Sequence, residues 1–145
     1  MSRELNLFCH TCKKPIDDEQ PGVLWIGSDE LNTQQDARAA WEAAHTIQIP
    51  SGGTAISATG ADLMAHPERA HWQAHHDACD DGSVTDAYSI PSYKLKTWAD
   101  LVSWTAHLME KIWLRDTDWL VILESAAEDG AGLVRPVKTP ELNAR

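Results

Sequence analysis

Two short stretches hold all three cysteines of the chain: Cys9-His10-Thr11-Cys12 near its start and His75-His76-Asp77-Ala78-Cys79 well downstream. Thiolates and imidazoles are the side chains that close a tetrahedron around zinc, and such donors come in pairs from C-x2-C and H-x2-C knuckles. A two-residue spacer lets the backbone turn so that both donors reach one centre, where amides of the turn can donate to the sulfurs. Cys9 with Cys12, and His76 with Cys79, stand at that spacing. The reading is therefore one structural zinc site with these four ligands. His75 is an alternative to His76 as ligand, and His10, flanked by the two thiols, is expected to be an exposed spectator. The competing reading leaves Cys9 and Cys12 as free thiols and Cys79 as a small buried hydrophobe. Three thiolates and one imidazole fill a tetrahedral site and leave no position for an activated water, so its expected role is to hold the fold.

Other groupings carry less. His71 and His75, four apart, would share one face of a helix, as the imidazoles of a catalytic metal do. A metalloprotease has its general-base Glu directly after the first of them, and here Trp72 stands there. Ser103 and His107 are four apart on a predicted helix, but no third group orients them. Asp77, Asp80 and Asp81 flank the second knuckle and read as solvated charge. The glycine-containing loops at Ser51–Gly53 and Thr59–Asp62 match no phosphate-binding pattern.

The chain has 145 residues, 43 % of them hydrophobic and 23 % charged, the balance of one globular domain with a real core. Its formal charge of -10 opposes duplex DNA, whose affinity for proteins comes largely from lysine and arginine at phosphates. No stretch has the apolar length of a membrane span, and no basic-then-apolar leader opens the sequence, so a cytoplasmic location is expected. In a reducing compartment, cysteines at metal spacing are read as ligands and not as a disulfide framework. Seven Trp against two Tyr and one Phe is a skewed set of aromatics, and those indoles must fill the core or face a partner.

The elements that must position the site follow from pattern. Val23–Gly27 reads as a strand, residues 34–45 as a surface helix, and residues 46–50 as a second strand ended by Pro50. The run from Ala58 to Cys79 reads as helical turns, with strand as the competing assignment for Trp72–His76. Residues 86–96 read as extended. Thr97 with Asp100 forms a capping box ahead of an amphipathic helix whose inward stripe is Trp98, Leu101, Val102, Thr105, Leu108, Met109 and Ile112. A shorter helix is expected over 117–126, with Trp119, Ile122 and Leu123 inward. The expected organisation is a single zinc-stabilised domain over 1–129, with 34–68 as an elaboration, and a flexible tail over 130–145. The fold class is α+β: a small, treble-clef-like zinc knuckle and a short hairpin packed against a long C-terminal amphipathic helix. On that helix's other flank, Trp104, His107 and Trp113 are the candidate partner-binding residues.

The segments CHTCKKPI, WQAHHDACD and TWADLVSWTAHLMEKIWLRDTDW together resemble a family of small zinc-binding proteins of actinobacteria and their phages. That family's pattern is CxxC before a Pro-Ile turn, then W-x3-H-x2-C-D, then a helix close to WTAHLMxKxWLxxTDW. The similarity covers the first knuckle and nearly everything from Trp72 to Trp119, and leaves 34–68 unmatched. By that pattern His76 is the ligand and His75 is not. The resemblance implies a zinc-binding fold and a phage or prophage origin, and it implies no activity. The functional expectation is a protein-interaction module that modulates a host protein, with the same helix as the interface if a homodimer forms. A nucleic-acid-associated regulator, with Lys13 and Lys14 beside the knuckle, is the alternative, and a metal-dependent hydrolase the third.

Overall fold

In a computed structural model of the chain, which describes residues 3–80, 86–128 and 132–137, three small antiparallel sheets and four helices follow from that sequence. Strand β1 (Leu5–Phe8) alternates two fully buried leucines, Leu5 and Leu7, with half-buried neighbours, the period-2 pattern of a strand with one face on the core. The chain reverses through the first cysteine pair into β2 (Pro15–Ile16), where Leu7 faces Ile16. Strand β3 (Gly22–Gly27) repeats the alternation with Leu24 and Ile26 inward. It is the centre of the second sheet, flanked by β6 (Gln73–His76) and β7 (Ala87–Pro91), both antiparallel to it. Pro91 ends an edge strand, where its missing N–H costs no ladder bond.

Helix α1 (Ser28–His45) starts six residues before the position read from sequence, with Asp29 and Glu30 in its first turn, where carboxylates favour the positive end of the helix dipole. Leu31 and Gln34 are its buried residues. The chain then forms a separate hairpin, β4 (Thr46–Gln48) with β5 (Thr54–Ile56), whose tip uses Gly52 and Gly53 at φ 102° and 87°. A five-residue helix, α2 (Gly60–Met64), follows, capped reciprocally by Thr59 and Asp62. The segment 34–68 thus consists of the later part of α1, this hairpin and α2. It is tied back by Arg38, whose guanidinium reaches the buried carboxylate of Asp116 at 2.6 Å.

Helix α3 (Trp98–Leu108) opens at the expected Thr97–Asp100 capping box. It is shorter than the long helix read from sequence: it has 11 residues, and the chain leaves it through tight turns from Met109 to Asp116. The inward stripe changes accordingly. Leu101 and Leu108 are buried, with Trp104 and Thr105 half-buried between them. Val102, Met109 and Ile112 are exposed, and Trp98 is 40 % exposed. Continued at about 100° per residue, the helix would carry Trp113 about 120° away from the Leu101 seam. Unwinding instead lays Trp113 against Tyr88 and Trp72, with ring centroids 5.3 Å and 6.3 Å away. Helix α4 (Trp119–Glu128) buries Trp119 and Ile122 as read, with Leu123 half-buried.

The expectation of a loose tail from residue 130 is corrected over its described part. Val134–Pro136 form β8, which completes the sheet β2-β1-β8 with fully buried Val134 opposite Leu7. Two interactions hold it there: Ser125 Oγ donates to the Val134 carbonyl at 2.8 Å, and the Arg135 guanidinium lies 3.9 Å over the Phe8 ring. The rest of that expectation, over 130–131 and 138–145, lies outside the described residues, as does Asp81. No helix among the described residues is long and apolar enough to cross a membrane.

Candidate metal centre

The first donor pair sits in the loop between β1 and β2. The Cys9 N–H donates to the Lys14 carbonyl at 3.0 Å, the Lys13 N–H donates back to the Cys9 carbonyl at 2.9 Å, and Lys13 takes φ 67° to close the turn. The second pair straddles the end of β6. After His76 the chain enters a single 3-10 turn, Asp77–Cys79. At three residues per turn, positions three apart lie on the same side, which brings Cys79 back over His76.

These two local devices converge. The Sγ atoms of Cys9, Cys12 and Cys79 and one ring nitrogen of His76 all lie within 4.8 Å of one another. His76 Nδ1 is 3.3 Å from Cys12 Sγ and 3.8 Å from Cys79 Sγ. A tetrahedron with metal–sulfur bonds of about 2.3 Å and metal–nitrogen bonds of about 2.0 Å has edges of about 3.5–3.8 Å. The two nitrogen–sulfur separations straddle that size, and the other donor pairs lie within 4.8 Å. The other ring nitrogen, Nε2, donates to the Pro15 carbonyl at 2.8 Å, which assigns the proton there and leaves the Nδ1 lone pair facing the sulfurs. A backbone carbonyl holding the far nitrogen is the support a metal-ligating imidazole takes.

The electrostatics divide the thiols. Burial alone would push the Cys9 thiol up, but the amides of Cys12, His76 and Thr11 and the His76 ring outweigh it and bring it down to about 5. Cys79 goes the other way, to about 11, through burial and through the Cys9 and Cys12 sulfurs beside it. A cation bound among these sulfurs would favour the ionised form of each sulfur it touches. Cys9 and His76 are buried, Cys79 is partly covered, and Cys12 stands at the solvent side of the loop.

The other histidines are placed elsewhere. His75 points to the opposite face of β6: its Nδ1 accepts from the Trp25 indole N–H at 2.9 Å, and it is not among the clustered donors. His10 is no spectator, because its N–H and its ring Nδ1 both donate to the Ala74 carbonyl, at 2.8 Å and 2.6 Å, and so tie the first knuckle to β6. His71 is exposed and pairs with Asp118 at 3.1 Å. Because His75 lies in a strand, the HxxxH spacing spans about 13 Å of extended chain and shares no helical face. That removes the helical pairing on which the His71–His75 reading rested.

Of the candidate partner residues, His107 is exposed and meets the Trp104 ring edge-on at 5.7 Å. Trp104 is half-buried, its indole N–H donating to the Lys94 carbonyl at 3.1 Å. Trp113 belongs to an aromatic cluster with Trp72, Tyr88 and Trp119. The apolar surface that sequence reasoning assigned to the core is the one left outside: Val102, Met109 and Ile112, joined by Leu120 and Val121 of α4.

The fold and site together define an α+β protein with a four-donor Cys3His cluster that could hold a metal ion. No family model, no curated protein and no solved structure matches the chain.

Proposed function

We propose that the cluster is a structural zinc site and that the protein works by binding another protein, with no chemistry of its own. The observation that carries the first half is the donor set: three sulfurs and one pre-oriented imidazole gathered within 4.8 Å of one another, a soft set of four that suits zinc and would leave no open position. Cys9, Cys12, His76 and Cys79 would hold the ion, which would supply charge neutralisation and a cross-link and no reaction. The arrangement is treble-clef-like in its first half only, the hairpin knuckle, since the second pair comes from a strand end and a 3-10 turn.

The second half rests on the exposed apolar residues of α3, the turns after it and α4, of which Met109, Ile112 and Leu120 line one groove. A phage or prophage protein acting on a host protein is consistent with the acidic charge and the motif resemblance. Nucleic-acid association has weaker support, because one of the two lysines beside the knuckle, Lys13, already donates its Nζ to the His10 carbonyl at 2.7 Å.

The test has two arms. Metal analysis should return one zinc per chain, and cobalt substitution should give the intense visible bands of a tetrahedral thiolate-rich site. Capture from a host lysate with zinc-loaded protein should enrich a protein that an Ile112→Glu variant fails to retain. Two metals per chain, or an octahedral cobalt spectrum, would refute the structural-zinc half.

A further inference from the structure

The turns after α3 and the first two turns of α4 enclose an open groove of about 480 Å³, within the size range of sites that hold anchoring side chains. Its floor is the buried Trp119 ring with Leu123, and Trp119 is fixed by its indole N–H donating to Thr105 Oγ1 at 3.0 Å. Its walls are Met109, Ile112 and Leu120, which are 72 %, 86 % and 54 % exposed. An apolar floor that is pre-positioned and apolar walls that stay exposed among the described residues are the features of a peptide-receiving groove.

Charge identifies the class of occupant. Arg69, Lys111 and Arg115 line the groove. Arg3, Arg38 and Lys96 each hold a carboxylate, whereas these three hold none among the described residues. In a chain with a formal charge of -10, a groove whose charged lining residues are all cations, with no carboxylate partner among the described residues, is a local reversal of sign. A second copy of so acidic a chain would meet general repulsion, and an isologous pairing would set this cationic rim against itself. An apolar floor is also the wrong surface for a phosphate backbone, which takes its contacts from charge and polar groups.

Resting on the protein-binding reading above, we propose that this groove receives an acidic amphipathic helix of a partner protein. The helix's apolar residues at i, i+3, i+4 and i+7 seat over Trp119, between Ile112 and Leu120, and its carboxylates meet Arg69, Lys111 and Arg115. Apolar contact holds the helix in place, and the charges select it and speed its arrival.

The test uses the full chain loaded with zinc and labelled with 15N, titrated with a synthetic amphipathic peptide of about four helical turns that carries Leu at those positions and Glu elsewhere. The same peptide with Lys in place of Glu and a short DNA duplex serve as controls, and sedimentation reads the oligomeric state. Expected are shift changes centred on Met109–Arg115 and Leu120, an affinity reduced about tenfold in Lys111→Glu and Arg115→Glu, and further weakening with salt. Both variants alter exposed or rim charges, and each should keep its zinc and its melting temperature. Equal binding of the Lys peptide, displacement by the duplex, a dimer that covers Ile112, or no shift with the Glu peptide would each overturn the proposal. If the groove fails while lysate capture by another face persists, the general protein-binding reading survives; if zinc-loaded protein captures nothing, that reading falls as well.

Discussion

Cys12→Ser tests the proposed zinc site, because it would separate a bound metal's contribution to stability from every other contribution. Cys12 is at the solvent side of its loop, so in a metal-free protein the change of sulfur to oxygen should cost no more than about 0.5 kcal/mol, as surface substitutions do. The sheets β2-β1-β8 and β6-β3-β7 meet at the site through three hydrogen bonds that the variant leaves intact. These are the two from His10 to the Ala74 carbonyl and the one from His76 to the Pro15 carbonyl. At about 1 kcal/mol net each, they supply about 3 kcal/mol of metal-independent attachment. A structural zinc ion contributes about 10–16 kcal/mol of apparent binding energy in small domains, comparable to the whole stability of a domain at about 5–15 kcal/mol. Even if only about 3 kcal/mol of it acts across these two sheets, its loss should lower the melting temperature by about 10 °C.

The assay is thermal unfolding followed by tryptophan emission, with zinc content measured on the same samples. Wild type treated with chelator should melt with the variant, and the variant should carry well under one zinc per chain. A variant that keeps its full zinc complement, or a chelated wild type that melts within about 2 °C of the untreated protein, would refute the cross-link.

Three further outcomes follow from the structure. Arg38→Met removes the partner of a carboxylate that is only 2 % exposed, and should cost about 3 kcal/mol in urea unfolding, whereas Glu42→Ala, on the exposed side of the same guanidinium, should stay within about 0.5 kcal/mol. Gly22 faces His76 across β3 and β6, and a methyl there would collide with the His75 carbonyl and come within 2.8 Å of the His76 Cα. Gly22→Ala should therefore displace a ligand-bearing strand and weaken zinc retention in a chelator competition, and unchanged retention would count against the placement of β6. The hydrogen bond and charge of Asp118 raise the His71 pKa above its ordinary 6.5, so the protonated pair stabilises the fold below that value and its contribution is lost as the pH rises through the raised one. Comparing urea midpoints of wild type and His71→Gln, the gap between them should be wider at pH 6 than at pH 8; an equal gap would show that the pair adds nothing.

What was legible in the sequence was local. The two cysteine knuckles, the Thr97–Asp100 cap and the inward face of α4 each depend on residues within a turn or two of one another, and each stands where its spacing put it. What was not legible depends on distant partners. Val134 reads as part of a polar tail until Leu7 lies opposite it. The Trp98–Ile112 stripe reads as one long helix, because nothing in its spacing says that Trp113 must reach Tyr88 and so end the helix at Leu108. Residues 28–33 carry acidic and polar side chains that suit a helix start as well as a loop, and Leu31 settles into the core only because β3 leads directly into α1.

Strand β6 shows how a helix-like composition becomes extended. Gln-Ala-His-His has no β-branched residue, and its helical alternative would place His71 and His75 together. As a strand, the same four residues send His75 to the Trp25 side and His76 to the sulfurs, since successive side chains leave on opposite faces. Each imidazole then finds a distinct partner, whereas one helical turn would set adjacent rings only about 100° apart and leave the first knuckle without its fourth donor. The backbone agrees with the side chains: the Ala74 carbonyl, just ahead of the pair, receives both donors of His10. The second histidine of the pair is thus specified by strand geometry, and the choice between His75 and His76, open when spacing alone is counted, closes once β3 pairs with β6 in the register Gly22 to His76.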